Sequence, residues 1–417
     1  MYDVFSMKDF SFPDDFFFGS GYAGHQVEGN NTNNNIWREE MEGKFEEFSG
    51  KACNSYELYR KDIDLAVSLG HQAFRTSVEW CRIEPECGVF NEEATEHYVD
   101  LFRYAKEKGL KTFATLIHFT WPLWFDKLNH FSNLENRKYF ERYVDYIAKR
   151  LAPYVDYWNV LNEFNYSPFR KNYVQFHALG YHTIKKYTDA PVSTAHALVN
   201  FMPYRPFDKL DNIMTQELDF KYHEFFFHAM RTGEILMPYE DGIYDKDVKG
   251  AIDYWSINCY TREMIDSRKE SPMGGRCEHK KLRLIDKDFY LEEMHPEIMI
   301  ANLSRLTDKP IIITENGVSC NDDRQRIVYL ALHLSALSEA IKAGADVKGY
   351  LHWSLMDNYE WGSYKPRFGL CDCNFETFER TPKPSAYFYK EIIENKGMNQ
   401  DILRKYLDKL PSLGLEY

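Results

Sequence analysis

The sequence predicts a closed (β/α)8 barrel of the TIM type, a single domain over residues 1–417 with elaborated loops after its strands. Three observations predict it. Amphipathic helical stretches alternate with short apolar runs, eight such runs can be counted, and no Pro/Gly/Ser-rich linker or low-complexity tract divides the chain. Repeated helix-to-strand connection implies parallel strands, which need a crossover rather than a tight turn. Eight of them suit a closed barrel better than an open sheet. At 417 residues and 49.5 kDa the chain fits one such barrel with decorated loops.

Taken in order, the first run is Phe16-Phe17-Phe18. Tyr59, Ile63, Ala66 and Val67 then mark a helix before Gly70, and Gln72-Ala73-Phe74-Arg75 is the second run. Ala94, Tyr98, Leu101, Phe102 and Ala105 mark the next helix before Gly109, followed by Lys111-Thr112-Phe113-Ala114-Thr115-Leu116. Phe140, Tyr143, Val144, Ile147, Ala148 and Leu151 form the i, i+3, i+4, i+7, i+8, i+11 stripe of a one-faced helix, with Glu141, Arg142, Asp145, Lys149 and Arg150 left to water. The fourth, fifth, sixth and seventh runs are Tyr157-Trp158-Asn159-Val160-Leu161, Val192-Ser193-Thr194-Ala195, Tyr254-Trp255-Ser256-Ile257 and Ile311-Ile312-Ile313. Ile327, Leu330, Ala331, Leu334 and Ile341 give a helix before Gly344, and Gly349-Tyr350-Leu351-His352-Trp353 closes the set. Three of these helices carry a glycine stop. The polar segment 263–288 is expected to be a long loop lying over the barrel mouth.

Composition narrows the partner. Lysine and arginine total 51 against 64 acidic residues, a formal charge of −13, which disfavours nucleic acid and suits a neutral small molecule. The 30 Tyr, 30 Phe and 8 Trp accord with sugar-stacking surfaces, although aromatics also fill large cores. No secretory signal is visible at the amino terminus and no apolar stretch is long enough to span a bilayer. Cys53, Cys81, Cys87, Cys259, Cys277, Cys320, Cys371 and Cys373 are too scattered for a disulfide scaffold, so a cytoplasmic location is expected. Cys371-Asp372-Cys373 lacks the spacing of a zinc knuckle and reads as structural; neither a metal nor a cofactor is expected. Oligomeric state is left open.

Nearly every run ends in a residue able to bind or react. These are Gln26 in the loop after the first, then Arg75, His118, Asn162-Glu163, His196, Asn258-Cys259-Tyr260, Glu315, and Trp353 with Glu360-Trp361. Taken singly, a glutamate at a strand end can equally cap the next helix, and a histidine can be a satisfied core residue. Two glutamates at two barrel tips, however, suit glycosidic bond cleavage, where one carboxylate attacks while the other shuttles a proton.

These residues also carry a resemblance that covers nearly the whole chain. Phe17-Phe18-Gly19 through Gln26-Val27-Glu28-Gly29, Phe74-Arg75-Thr76-Ser77-Val78-Glu79-Trp80-Cys81-Arg82-Ile83, and Thr115-Leu116-Ile117-His118-Phe119 appear first. Asn162-Glu163, Asn258-Cys259-Tyr260, Thr314-Glu315-Asn316-Gly317, the run from Trp353 to Trp361, and Arg367-Phe368-Gly369 follow in the same order. Together they resemble the β-glycosidases of glycoside hydrolase family 1. The resemblance implies Glu315 as nucleophile and Glu163 as general acid/base. Arg75 beside Glu315 would favour its ionised form, and Tyr260 would orient it. Gln26, His118, Asn162, Asn258 and Glu360 would grip the sugar, with Trp361 adding its indole N–H and Trp353 a stacking face.

The chain departs from the family pattern at several points. Phe164 stands where a proline is usual, Val160-Leu161 where threonine-phenylalanine is usual, Cys259 where a tyrosine is common, and Phe119 where many members have tryptophan. The stretch 223–253 is compressed and yields no substrate contact. Within the family, members acting on 6-phosphoglycosides replace the sugar-gripping glutamate with serine and add lysine and tyrosine. Here Glu360 is kept, with Pro366 and Phe368 at those two places, so its charge would repel phosphate and Lys365 reads as a solvated loop residue. The expectation is therefore a retaining β-glycosidase of non-phosphorylated β-D-glucosides, galactosides or fucosides. A 6-phospho-β-glycosidase and a catalytically inactive carbohydrate-binding barrel are the alternatives. Transglycosylation would use the same intermediate.

Overall fold

The computed structural model describes residues 3–238, 240–269 and 293–411. Eight strands close into a barrel: β1 (Phe17–Gly21), β2 (Ala73–Ser77), β3 (Lys111–Ile117), β4 (Tyr157–Asn162), β5 (Val192–Ala197), β6 (Trp255–Asn258), β7 (Ile311–Asn316) and β8 (Val347–Trp353). All neighbours pair in parallel, and β8 returns to β1 through Gly349 opposite Phe17. Each strand is followed by a helix: α1 (Ser55–Ser68), α2 (Glu92–Glu107), α3 (Arg137–Leu151), α4 (Arg170–Ile184), α5 (Lys209–Asp219), α6 (Ile298–Leu303), α7 (Asp323–Lys342) and α8 (Pro384–Asn395). All eight expected runs are barrel strands.

The helical stripes bury as their spacing requires. The six apolar residues of α3 are fully buried while its charged positions reach solvent. Gly70, Gly109 and Gly344, the expected stops, adopt φ of +76, +85 and +106°, the left-handed turn that ends a helix without a Cβ penalty. Asn91 and Asp322 accept a backbone N–H at the starts of α2 and α7. Beyond α5 the chain makes a π turn at Phe220–Glu224 and continues as a helix over Phe225–Thr232.

Strand alternation stacks the barrel interior in layers. Phe17, Ala73, Phe113, Tyr254, Ile312 and Leu351 pack as an apolar floor. Polar residues sit above it: Arg75 Nε donates to Thr115 Oγ1 at 3.1 Å, Ser256 Oγ and Thr314 Oγ1 lie 2.8 Å apart, and Tyr254 OH donates to Asn159 Oδ1 at 3.0 Å. The floor thus seals one end, and the rim is left for chemistry at the carboxyl ends of the strands.

The expectation for 263–288 needs correction where it can be compared. Arg262–Ile265 is a strand, paired in parallel with Asn200–Pro203. Its partner comes from about sixty residues upstream, a pairing no local pattern announces. The remainder, 270–288, lies outside the described residues. Cys371–Cys373 forms half of a short antiparallel hairpin with Arg380–Pro382, and the seven described cysteines are free. Among the described residues no helix is long and apolar enough to cross a membrane.

Candidate active site

Glu315 lies within β7, 4% exposed, and is held from two sides. The Arg75 guanidinium, reaching across from β2, donates Nη1–H to Glu315 Oε1, and Tyr260, two residues past β6, donates its hydroxyl to Glu315 Oε2 at 2.6 Å. Burial and the charge of Glu315 push the Tyr260 hydroxyl well above its ordinary range, so it remains a donor. After Glu315 the chain passes so close to β8 that a Cβ on Gly317 would sit 1.9 Å from the Trp353 carbonyl oxygen. Only glycine fits the end of the Thr-Glu-Asn-Gly run.

Glu163 follows β4 and is half-buried, with φ +50° and ψ +30°. Its Oε1 accepts from Asn258 Nδ2 at 2.9 Å. The same Nδ2 lies 3.2 Å from Asn162 Oδ1, which also accepts from Arg75 Nη2 at 2.6 Å. Asn162 Nδ2 and His118 Nε2 are 3.2 Å apart. Burial, with Arg75 nearby, pushes the His118 imidazole well below its usual range, so the neutral ring accepts at Nε2 and carries its proton on Nδ1. Phe119 (φ +67°) and Trp361 (φ +45°) share with Glu163 a backbone region that non-glycine residues seldom adopt. Such strain gathers at functional sites.

Gln26 donates Nε2–H to Glu360 Oε2 at 3.0 Å and to Asn358 Oδ1 at 3.1 Å. Burial first, and neighbouring Glu315 second, push the Glu360 carboxyl up to about 8. His118 lies parallel to both Trp353 and Trp361, with centroids 5.8 and 5.9 Å away. Gln26 Oε1 and His118 Nδ1 are buried and find no partner among the described residues. An acceptor and a donor are therefore free for ligand hydroxyls.

Two adjoining cavities open here. The inner, about 310 Å³, is lined by His118, Asn162, Glu163, Tyr260, Glu315, Trp353, Glu360 and Trp361 together with Phe368. Every site residue that the family resemblance implied thus lines this cavity or bonds to residues that do. No lysine or arginine is among the described lining residues. Lys365, 57% exposed at its side chain, turns away to Glu46 at 2.8 Å. Burial and neighbouring Glu315, which push the Glu360 carboxyl up to about 8, weaken the repulsion of phosphate expected from its charge. The missing cation is the stronger obstacle.

The outer cavity, about 480 Å³, meets the inner one at Phe119, Asn162, Glu163, Tyr166 and Trp361. Phe164, noted in the sequence as a departure from the family pattern, lines it; Ile36, Phe45 and Trp121 were not foreseen, since they come from the segments after β1 and β3 whose course no periodicity reveals. His196, in contrast, stands at a strand tip but faces outward, its Nε2 3.1 Å from His223 Nδ1 and its ring stacked on Phe226. Among the described residues no group of three or more His, Cys, Asp and Glu could hold a metal ion.

The model of glycosyl hydrolase family 1 matches residues 8–202 and 168–398. The chain belongs to glycosyl hydrolase family 1. A solved structure, that of a beta-glycosidase from Pyrococcus horikoshii, is 32% identical and superposes with a TM-score of 0.86, covering 98% of this chain and 100% of that one. Beta-glucosidase A of Acetivibrio thermocellus is 28% identical over 94% of this chain and 100% of its own length. A 6-phospho-beta-galactosidase of Staphylococcus epidermidis is also 28% identical, over 92% of this chain and 98% of its own. Family membership makes the protein a glycoside hydrolase acting on carbohydrate. Equal likeness to both kinds of relative leaves phosphorylation of the substrate to be argued from the site.

Proposed function

We propose that the protein is a retaining β-glycosidase of non-phosphorylated β-D-glycosides, glucosides above all, with galactosides and fucosides as further candidates. The two-sided grip on Glu315 carries the reading: a buried carboxylate held by a guanidinium and a phenol is oriented and aimed into the cavity. Glu315 attacks the anomeric carbon. As the bond to the leaving oxygen breaks, Glu163 gives that oxygen its proton, and an α-linked glycosyl ester forms on Glu315. Glu163, now ionised, takes a proton from water, whose oxygen attacks the same carbon, frees Glu315 and restores the β configuration.

Gln26, His118 and Glu360 grip the hydroxyls of the sugar, Trp353 supplies a stacking face, and Asn162 holds the 2-hydroxyl. The leaving group occupies the outer cavity, since Glu163 stands at the junction of the two. The chain acts as one catalytic domain in the cytoplasm, without metal or cofactor. A phosphate on O6 would be desolvated in an inner cavity whose described lining offers it no cation, at a cost of several kcal/mol. The test is a panel of 4-nitrophenyl β-glycosides with and without a 6-phosphate, assayed on purified protein. Unphosphorylated substrates should react at least about 100-fold faster in kcat/KM; faster cleavage of the phosphorylated partner would overturn the reading.

A further inference from the structure

Glu163 sits in left-handed backbone, at φ +50°, a conformation that a glutamate abandons unless its surroundings enforce it. Phe164, which follows it, has no polar side chain to hold the turn. A constraint is present one residue further on. Asn165 is fully buried in the short 3-10 turn Phe164–Tyr166. Its Nδ2 donates to the carbonyl of Ala197 at 2.9 Å and to that of Tyr222, in the π turn, at 3.1 Å. Its Oδ1 accepts from Ala197 N–H at 3.3 Å, and its own carbonyl accepts from Arg170 Nε at 3.0 Å.

The next residue, Leu198, donates its N–H to the Asn258 carbonyl at 2.8 Å, and Asn258 in turn donates to the Glu163 carboxylate at 2.9 Å. The side chain of Asn165 therefore closes a circuit: Glu163 backbone, Asn165, the end of β5, Asn258, Glu163 carboxylate. Both ends of Glu163 are referred to the end of β5 and the residue after it: its N–H donates directly to the Ala195 carbonyl at 2.7 Å, Asn165 ties the turn to Ala197, and Leu198 holds Asn258. If the Asn165 bonds are lost, the Glu163 N–H still donates to the Ala195 carbonyl at 2.7 Å on β5, but the turn beyond it is no longer tied down, and the carboxyl can drift from the leaving oxygen while Glu315, on β7, stays in place.

We propose that Asn165 is a positioning residue for Glu163, acting on proton transfer to the leaving group rather than on nucleophilic attack. This rests on the reading of Glu163 as proton donor. The experiment compares kcat/KM for a 2,4-dinitrophenyl β-glycoside, whose leaving group needs no proton, with that for a methyl or cellobiose-type substrate, whose leaving group does. Asn165→Ala should lose about 10- to 100-fold on the second class and less than about threefold on the first. Asn165→Ser, which keeps a smaller donor, should show the same selectivity to a lesser degree, and it is read by the same criterion if the alanine variant does not fold. Equal losses on both substrates, or none, would overturn the proposal. Glu163→Ala is the reference: if it fails to discriminate between the leaving groups, the reading of Glu163 falls instead.

Discussion

Tyr260→Phe removes one oxygen and little else. The ring keeps its edge-on packing with Phe368, 6.3 Å between centroids, while the 2.6 Å hydrogen bond to Glu315 disappears. A hydrogen bond to a charged group contributes about 1.5–3 kcal/mol. Glu315 Oε2, facing the cavity, regains part of this from water in the free enzyme but not once a sugar fills the site. The loss should therefore fall on the transition state. At about 1.4 kcal/mol per factor of ten, kcat/KM should drop roughly 10- to 150-fold. The drop should be similar for good and poor leaving groups, because attack rather than proton donation is impaired. Thermal unfolding should move by less than about 2 °C, since no buried group is stranded. The assay is steady-state hydrolysis of aryl β-glycosides alongside a melting curve. A loss below about threefold, or one matched by a large fall in Tm, would refute the reasoning.

Glu360→Gln should remove a pH dependence. A carboxyl raised from 4.5 to about 8 binds a proton in the folded state that the unfolded chain has released, so it costs the wild type stability as pH rises from about 4.5 through 8, by up to about 1.4 kcal/mol per unit. Melting curves from pH 5 to 9 should show the variant gaining on the wild type across that window; parallel curves would count against a neutral Glu360. Phe45→Ala should leave methyl glycosides unaffected while weakening aryl or long-chain alkyl ones about 2- to 12-fold in kcat/KM, the worth of one aromatic contact in the outer cavity. Equal effects on both classes would place the leaving group elsewhere.

The barrel was legible because four of its helices carry apolar residues at helical spacing and each strand is a compact run, patterns set by local geometry. Arg75 was legible as an inward residue, since alternation from Ala73 on the floor carries it into the polar layer. The same parity, counted from Ala197 on the inner cavity wall, turns His196 outward, although its position at a strand tip matched that of the site residues. Asn165 and the outer cavity stayed hidden because loops place them, through bonds to residues such as Tyr222 that lie far along the chain. The charge state of Glu360 was hidden for a different reason: burial beside another carboxylate is a property of the assembled site.

The central claim is that Glu315 becomes covalently bonded to the sugar. Incubation with a 2-deoxy-2-fluoro-β-glycoside bearing a good leaving group slows both steps, and the second more in effect, so the intermediate accumulates. Mass spectrometry of the intact protein and of its proteolytic peptides then locates the sugar. The account predicts one fluoroglycosyl adduct, carried by the peptide containing Glu315 and absent from Glu315→Ala. An adduct on Glu163, or turnover of the unfluorinated substrate with inversion and no adduct, would contradict it.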